Sequence, residues 1–126
     1  MKKIIKTSLA PAPIGPYNQA VLVDNVLYTS GQIAIDPSNG NLVLDSIEVE
    51  TKTVMENLKA VLSESEMNFD HVIKSTIFIS DMNNFSTINE VYGKYFTKDF
   101  PARETVEVAC LPKNVNVEIS VIAAKN

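Results

Sequence analysis

Two side chains near the C-terminus carry the most chemical information in this chain. Phe100-Pro101-Ala102-Arg103-Glu104-Thr105-Val106-Glu107-Val108 sets a proline-fixed arginine at the mouth of a strand, and Val115-Asn116-Val117-Glu118-Ile119 sets a lone carboxylate inside the next apolar strand. Arg103 is a permanent cation whose planar donor fork fits a carboxylate. Glu118 stands where hydrophobic alternation buries one side of a sheet, and burial raises a carboxyl pKa toward the working range of an acid/base catalyst. A fork for an anion beside a proton-transfer group is a starting point for an enzyme. The same two residues also describe a plain ion pair bracing two neighbouring strands, since structural pairs perturb pKa values too.

Period-2 alternation puts Arg103, Thr105 and Glu107 on one face of their strand and Val106 and Val108 on the other. Asn116, Glu118 and Ser120 share a face of the last strand, opposed by Val115, Val117, Ile119 and Val121. Pairing of these strands as a hairpin through Leu111-Pro112-Lys113-Asn114 would bring both polar faces together, with Arg103 and Glu118 in reach of one pocket. Ser30-Gly31-Gln32 offers a hydroxyl and an unhindered backbone N–H at a strand end, or simply a bend. Tyr17, held by Gly15-Pro16, and Asn89 on a helix are further polar candidates; Asn89 equally reads as an exposed helix residue.

Other chemistries find little support. His71 is the only histidine and has no cysteine near it, so metal ligation is not expected and a surface or strand-edge role is. Cys110 has no Cys-His pairing and reads as a strand-end residue. The four glycines are dispersed and form no phosphate-cradling loop, and no GxSxG elbow occurs. The formal net charge of −4 and scattered basic residues argue against nucleic-acid binding. No apolar run approaches membrane-spanning length and no secretory signal is present, so a cytoplasmic protein is expected, in keeping with a single cysteine.

The elements that must position these residues follow from the pattern. At 126 residues the chain is expected to be one domain, spanning 1–126. Pro11-Ala12-Pro13-Ile14-Gly15-Pro16 is a stiff, shaped loop. Asn18–Val23 and Val26–Ser30 read as strands joined by an Asp24-Asn25 turn. A turn over Asp36-Pro37-Ser38-Asn39-Gly40 separates strand-like Ile33–Ile35 and Leu42–Leu44. Asp45 with Glu48 suggests a cap for a helix whose Ile47, Thr51, Val54, Leu58, Val61 and Leu62 recur at helical spacing. Val72–Ser80 is a buried strand, Asn84 caps a second helix with an Ile88, Val91, Tyr92, Tyr95, Phe96 stripe, and Thr105–Cys110 and Val115–Ala123 close the chain as strands. The order predicts an α+β layer, one sheet with two helices packed on a single face. Its strands are apolar on both sides, which predicts burial of the second face against other copies of the chain.

Gly15-Pro16-Tyr17-Asn18-Gln19-Ala20, Ser30-Gly31-Gln32-Ile33 leading to Asp36-Pro37 and Gly40, Asn89-Glu90-Val91-Tyr92, Pro101-Ala102-Arg103, and Leu111-Pro112-Lys113 with Val117-Glu118-Ile119 resemble, in order and spacing, the reactive-intermediate deaminase family (Rid, or YjgF-like, proteins). The resemblance covers nearly the whole chain. It implies a chorismate-mutase-like α+β fold with one mixed sheet, assembled as a homotrimer with a barrel-like core and active sites between subunits. It implies hydrolysis of 2-imino acids and their enamine tautomers, such as 2-aminoacrylate and 2-aminocrotonate, to 2-keto acids and ammonia, without cofactor or metal. Arg103 falls on the family's substrate-carboxylate arginine and Glu118 on its water- and proton-handling glutamate. Tyr17, Ser30, Gly31, Asn89 and position 105 fall on residues lining the cleft. Three features depart from the pattern: Thr105 where the best-studied deaminases often carry cysteine, Ser120 where many members are acidic, and a short stretch before Pro101. Two other functions stay open, a non-catalytic 2-keto acid binding or regulatory module and an RNA-directed inhibitor of translation; the acidic balance counts against the second.

Overall fold

A computed structural model describes residues Met1–Asn126. Six strands, β1 (Lys2–Ile5), β2 (Ala20–Val23), β3 (Val26–Thr29), β4 (Val72–Ile79), β5 (Ala102–Glu107) and β6 (Val117–Ala124), form one sheet in the order β1-β2-β3-β6-β4-β5. Helices α1 (Ile47–Glu64) and α2 (Phe85–Gly93) pack on one face of it. All neighbours are antiparallel except β4 and β5, which run parallel. The α+β layer read from the sequence is therefore the observed one, and the sheet is mixed. No helix is long and apolar enough to cross a membrane.

The parallel pair overturns the expected C-terminal hairpin. Parallel neighbours need a crossover, and α2 supplies it between β4 and β5. That places β5 on the outer edge of β4, while β6 takes the inner edge by antiparallel pairing of Ile77 with Ile119 and Phe78 with Glu118. One whole strand thus separates β5 from β6. Smaller shifts accompany this. The Asn18–Val23 strand starts at Ala20, β5 begins at Ala102 rather than Thr105, and Lys2–Ile5 adds an edge strand against β2 that its short Lys-Lys-Ile-Ile run did not advertise. Residues 33–35 and 42–44 form no strands; Ile35 bridges Leu42, and the neighbouring Gln32 bridges Ile119.

Side-chain capping explains the start of α1 but not that of α2. Ser46, one residue beyond the expected Asp45, is the cap of α1, and its hydroxyl accepts from Val49 N at 3.1 Å. Asn84 precedes α2 without a side-chain cap; Asp81 instead caps the short turn before it by accepting from Asn83 N at 2.9 Å. The stripe of α2 ends at Gly93, yet Phe96 stays buried beyond it, edge-on to Phe69. His71 accepts from Asn68 N through Nδ1 at 3.0 Å, closing a turn into β4.

The helix-side face of the sheet is the main core. Leu27, Ile77, Ile79, Val117, Ile119 and Val121 meet Val54, Leu58, Val61 and Leu62 of α1 and Ile88 and Tyr92 of α2. A smaller cluster of Ile33, Ile35, Leu111 and Val115 closes over Phe78 at one end of the opposite face. Asn57 reaches from α1 to hold that segment, its Nδ2 donating to the Ile33 and Ile35 carbonyls at 3.3 and 3.0 Å. Much of the rest of that face has no cover: Ile4, Tyr28 and Val106 are each more than two-fifths exposed.

Candidate active site

Sheet register decides where the two chemical side chains point. Ile77 pairs with both Ile119 and Thr105, so the odd-numbered residues of β5 share the helix-side face. Phe78 pairs with Glu118 and with Val106, which puts Glu118 on the opposite face. Arg103 and Glu118 therefore lie on opposite faces of one sheet, with β4 between them. They share no pocket within the chain, and the bracing ion pair does not form. The chain's ion pairs are Lys74–Glu104 at 2.9 Å and the exposed Glu90–Lys94 at 3.9 Å, and neither involves them.

Glu118 opens onto a cavity of about 320 Å³ lined by Tyr17, Ser30, Gly31, Ile33 and Pro112, among others. Four expected site residues, Tyr17, Ser30, Gly31 and Glu118, thus meet here. Burial pushes the Glu118 carboxyl above its ordinary range, and no cation or donor within the chain offsets that. Gly31 is where it is because nothing larger fits. A β-carbon there would lie 2.7 Å from Glu118 Cδ and 2.9 Å from Cγ. The backbone on either side is pinned, Ser30 N donating to Gln19 O at 2.9 Å and Gln32 N to Ile119 O at 2.8 Å. The Ser30 hydroxyl is spent on Asn18 O at 2.5 Å, so it shapes the loop rather than presenting a free donor.

Opposite the cavity wall runs the proline-rich loop, and Gln19, to which the sequence reading gave no role, fastens it. Its buried amide donates to the carbonyls of Thr7, Ala10 and Pro11 at 3.0, 3.2 and 2.8 Å and accepts from Thr7 N at 2.7 Å. A glutamine two residues after Tyr17 carries no periodicity signal; only a shaped loop with unpaired carbonyls nearby hints at it. Tyr17 folds back within this loop, its hydroxyl accepting from Ile14 N at 3.2 Å.

Arg103 occupies a second depression, about 410 Å³, with Asn89, Tyr92, Gly93, Phe100 and Pro101. Asn89 is not an idle exposed residue: its Oδ1 accepts from Arg103 Nη1 at 2.6 Å. The guanidinium lies 5.3 Å from the Tyr92 ring centroid and 5.7 Å from that of Phe85. Such cation–π contacts contribute about 0.5–1 kcal/mol each at exposed sites. Tyr92 itself is anchored, its hydroxyl donating to Ser75 Oγ at 2.8 Å with burial raising its pKa, so the ring beneath the cation is neutral. In the sequence Tyr92 reads as a helix-stripe residue within Asn89-Glu90-Val91-Tyr92, and Phe85 carries no assigned role. One edge of the fork is thereby fixed, and the rest is free of any carboxylate. Thr105, two residues on along the same face, lines neither depression, and its buried Oγ1 has no hydrogen-bond partner within the chain. Nowhere do three or more His, Cys, Asp or Glu side chains converge as a metal site.

Comparison with known proteins bears on this arrangement. A family model described as Endoribonuclease L-PSP matches residues 7–125. A Lactococcus lactis relative named as a candidate regulator, AldR, is 54% identical over 121 residues, covering 96% of each chain. A Bos taurus protein named 2-iminobutanoate/2-iminopropanoate deaminase is 46% identical over 125 residues, 99% of this chain and 91% of that one. Among solved structures, E. coli TdcF with bound serine is 41% identical and superposes with a TM-score of 0.94 over 98% of this chain and 99% of its own.

Proposed function

We propose, from the premise that this chain belongs to the Endoribonuclease L-PSP (Rid/YjgF) family, that it hydrolyses reactive 2-imino acids and enamines of the 2-aminoacrylate and 2-aminocrotonate type to 2-keto acids and ammonia. The observation that carries the reading is the state of the two key groups. Arg103 is preorganised by Asn89 and two rings yet holds no carboxylate, and Glu118 is a half-buried carboxyl raised by burial with no partner. Each lacks what the other half, plus an amino-acid-shaped ligand, would supply. The serine in TdcF and the deaminase name of the bovine relative support that ligand class.

Because the halves sit on opposite faces, the working site is formed between copies. Arg103 lies on β5, the sheet's edge strand, from which it reaches toward the Glu118 cavity of a neighbouring copy. The uncovered apolar side chains Ile4, Tyr28 and Val106 supply the surface such an assembly would bury. A closed ring of three copies fits this head-to-tail arrangement.

In that site Arg103 holds the substrate carboxylate through charge-assisted hydrogen bonds of about 1.5–3 kcal/mol each. Glu118, protonated, passes a proton to the imine nitrogen. As the carboxylate it then takes a proton from the water attacking C2, and collapse of the resulting carbinolamine releases ammonia and the 2-keto acid. Burial makes this carboxyl more readily protonated than an ordinary one, and such proton transfer typically contributes ~10²–10⁴-fold. The substrates hydrolyse unaided in water, so orientation plus one acid/base group is sufficient chemistry.

The test is a coupled assay. A dehydratase generates 2-aminocrotonate from threonine while semicarbazide traps the imine, and the purified protein competes with the trap. Wild type is expected to divert flux to 2-ketobutyrate, and Arg103→Ala and Glu118→Gln each to fail. Mixing those two variants and reassembling them should recover about a quarter of the sites, since each mixed three-membered ring contains one junction with both native residues. No recovery would overturn the shared site. Binding of 2-ketobutyrate without turnover would move the function to sensing, the role that the AldR name suggests for that relative.

A further inference from the structure

Glu50 is a carboxylate that the proposed chemistry does not use. It lies in the first turns of α1, is fully buried, and takes part in neither ion pair. A buried charge with no cation is costly unless hydrogen bonds replace its water. Here three N–H donors do so. Asn116 N at 2.7 Å and Val117 N at 3.2 Å meet Oε2, and Asn116 Nδ2 meets Oε1 at 2.7 Å. Its place near the helix N-terminus adds a favourable field for negative charge.

All three donors belong to the two residues immediately before Glu118. From the other side Ser80 N donates to Asn116 O at 3.1 Å, so the entry to β6 is held on both edges. Just upstream, Lys113 and Asn114 occupy the left-handed region at φ +57 and +56. That conformation costs roughly 1–2 kcal/mol per non-glycine residue, and it persists only where the surroundings over-determine it. Buried Leu111 anchors one end of this turn and the Glu50 bonds anchor the other. Between them stands Pro112, a wall of the Glu118 cavity.

We propose that Glu50 is a positioning residue for the reaction, clamping the Asn116–Val117 backbone so that Glu118 and the Pro112 wall hold their place around the substrate. The proposal rests on the reading of Glu118 as the proton-transfer group. Two variants separate clamping from mere core filling. Glu50→Gln keeps every bond: its oxygen accepts both backbone N–H groups, and its amide donates to Asn116 Oδ1 once that side-chain amide turns over. Glu50→Leu keeps the bulk and removes every acceptor.

The experiment measures kcat and KM on the trapped-imine assay and, separately, the pH titration of the Glu118 side-chain carboxyl by carbon NMR. Glu50→Gln is expected within about twofold of wild type in both. Glu50→Leu is expected to lose about tenfold or more in kcat with KM within about twofold, because misplacement of a reacting group by an ångström costs up to ~10²-fold while Arg103 lies on the other face. Its Glu118 titration should also move toward the ordinary carboxylate range. If Glu50→Leu does not fold, Asn116→Ala, which removes one arm of the clamp, carries the test with the same readouts. Wild-type kcat and an unchanged Glu118 titration in a folded variant overturn the proposal, as does equal loss in Glu50→Gln and Glu50→Leu. Should wild type prove inactive on every imine, the proposed function fails, and the titration alone still decides whether Glu50 sets the environment of Glu118.

Discussion

Substituting Gly31 with alanine adds one methyl group at the point where the structure has no room for it. That β-carbon would sit 2.7 Å from Glu118 Cδ, 2.9 Å from Cγ and 3.0 Å from Oε2. Carbon atoms pack best at about 3.5–4.0 Å, so the carboxyl must retreat by about 1 Å. Gly31 has no left-handed φ, and its neighbours Ser30 and Gln32 are pinned by backbone hydrogen bonds. The loop therefore stays and the flexible Glu118 side chain yields. The expected cost in stability is small, within about 1 kcal/mol, since alanine also lowers the entropy of the unfolded chain by an equivalent of ~0.4–1 kcal/mol. The expected cost in catalysis is large: about 10²-fold in kcat for a reacting group displaced by an ångström. KM should hold, because Arg103, the proposed carboxylate fork, lies on the other face of the sheet. The assay is conversion of 2-aminocrotonate against the semicarbazide trap, with a thermal melt of the same preparation. A kcat within about threefold of wild type would show that Glu118 does not act from its observed position. A fall in Tm beyond about 8 °C would instead place the clash in the backbone and refute the geometric argument.

Three further outcomes follow from the same geometry. Arg103→Lys keeps the charge but loses the planar fork and its stacking on Tyr92 and Phe85; losing one charge-assisted hydrogen bond of about 1.5–3 kcal/mol should lower kcat/KM roughly 10–100-fold in steady-state kinetics. Burial raises the Glu118 pKa above its unfolded value, so its stabilising contribution is fully present below the unfolded pKa and is lost as pH rises through the folded one. Glu118→Gln should therefore melt higher than wild type at neutral pH, with the difference closing in acid, and equal melts at both ends would count against a desolvated carboxyl. Gln19→Leu strands the Thr7 N–H and the Thr7, Ala10 and Pro11 carbonyls; a loss of about 2–4 kcal/mol in denaturant unfolding is expected, at ~1–3 kcal/mol per unsatisfied buried group with partial rescue by water, and a loss below about 0.5 kcal/mol would remove Gln19 from the loop's architecture.

Local pattern carried the reading a long way. Helical spacing marked α1 and most of α2, alternation marked β4 and β6, and the chemistry of residue types singled out Arg103 and Glu118. Alternation also named correctly which residues share a face within each strand: Arg103 with Thr105, and Glu118 with Ser120. What it could not supply was the relation between strands. Period-2 order fixes a side chain only relative to its own neighbours, whereas the face it meets depends on which strand pairs with it and in which direction. Here α2 carries β5 over to a parallel place outside β4, and the Arg103 and Glu118 that a hairpin would have joined end on opposite faces. The roles of Gln19 and Glu50 were hidden for the same reason. Their hydrogen-bond partners lie 8 to 12 and 66 to 67 residues away, and a single amide or carboxylate has no period. Sequence by itself determined which groups could do chemistry, because that is a property of each side chain. Only the tertiary structure decided which of them meet, because strand pairing is a non-local choice settled by the burial and hydrogen bonding of the whole sheet.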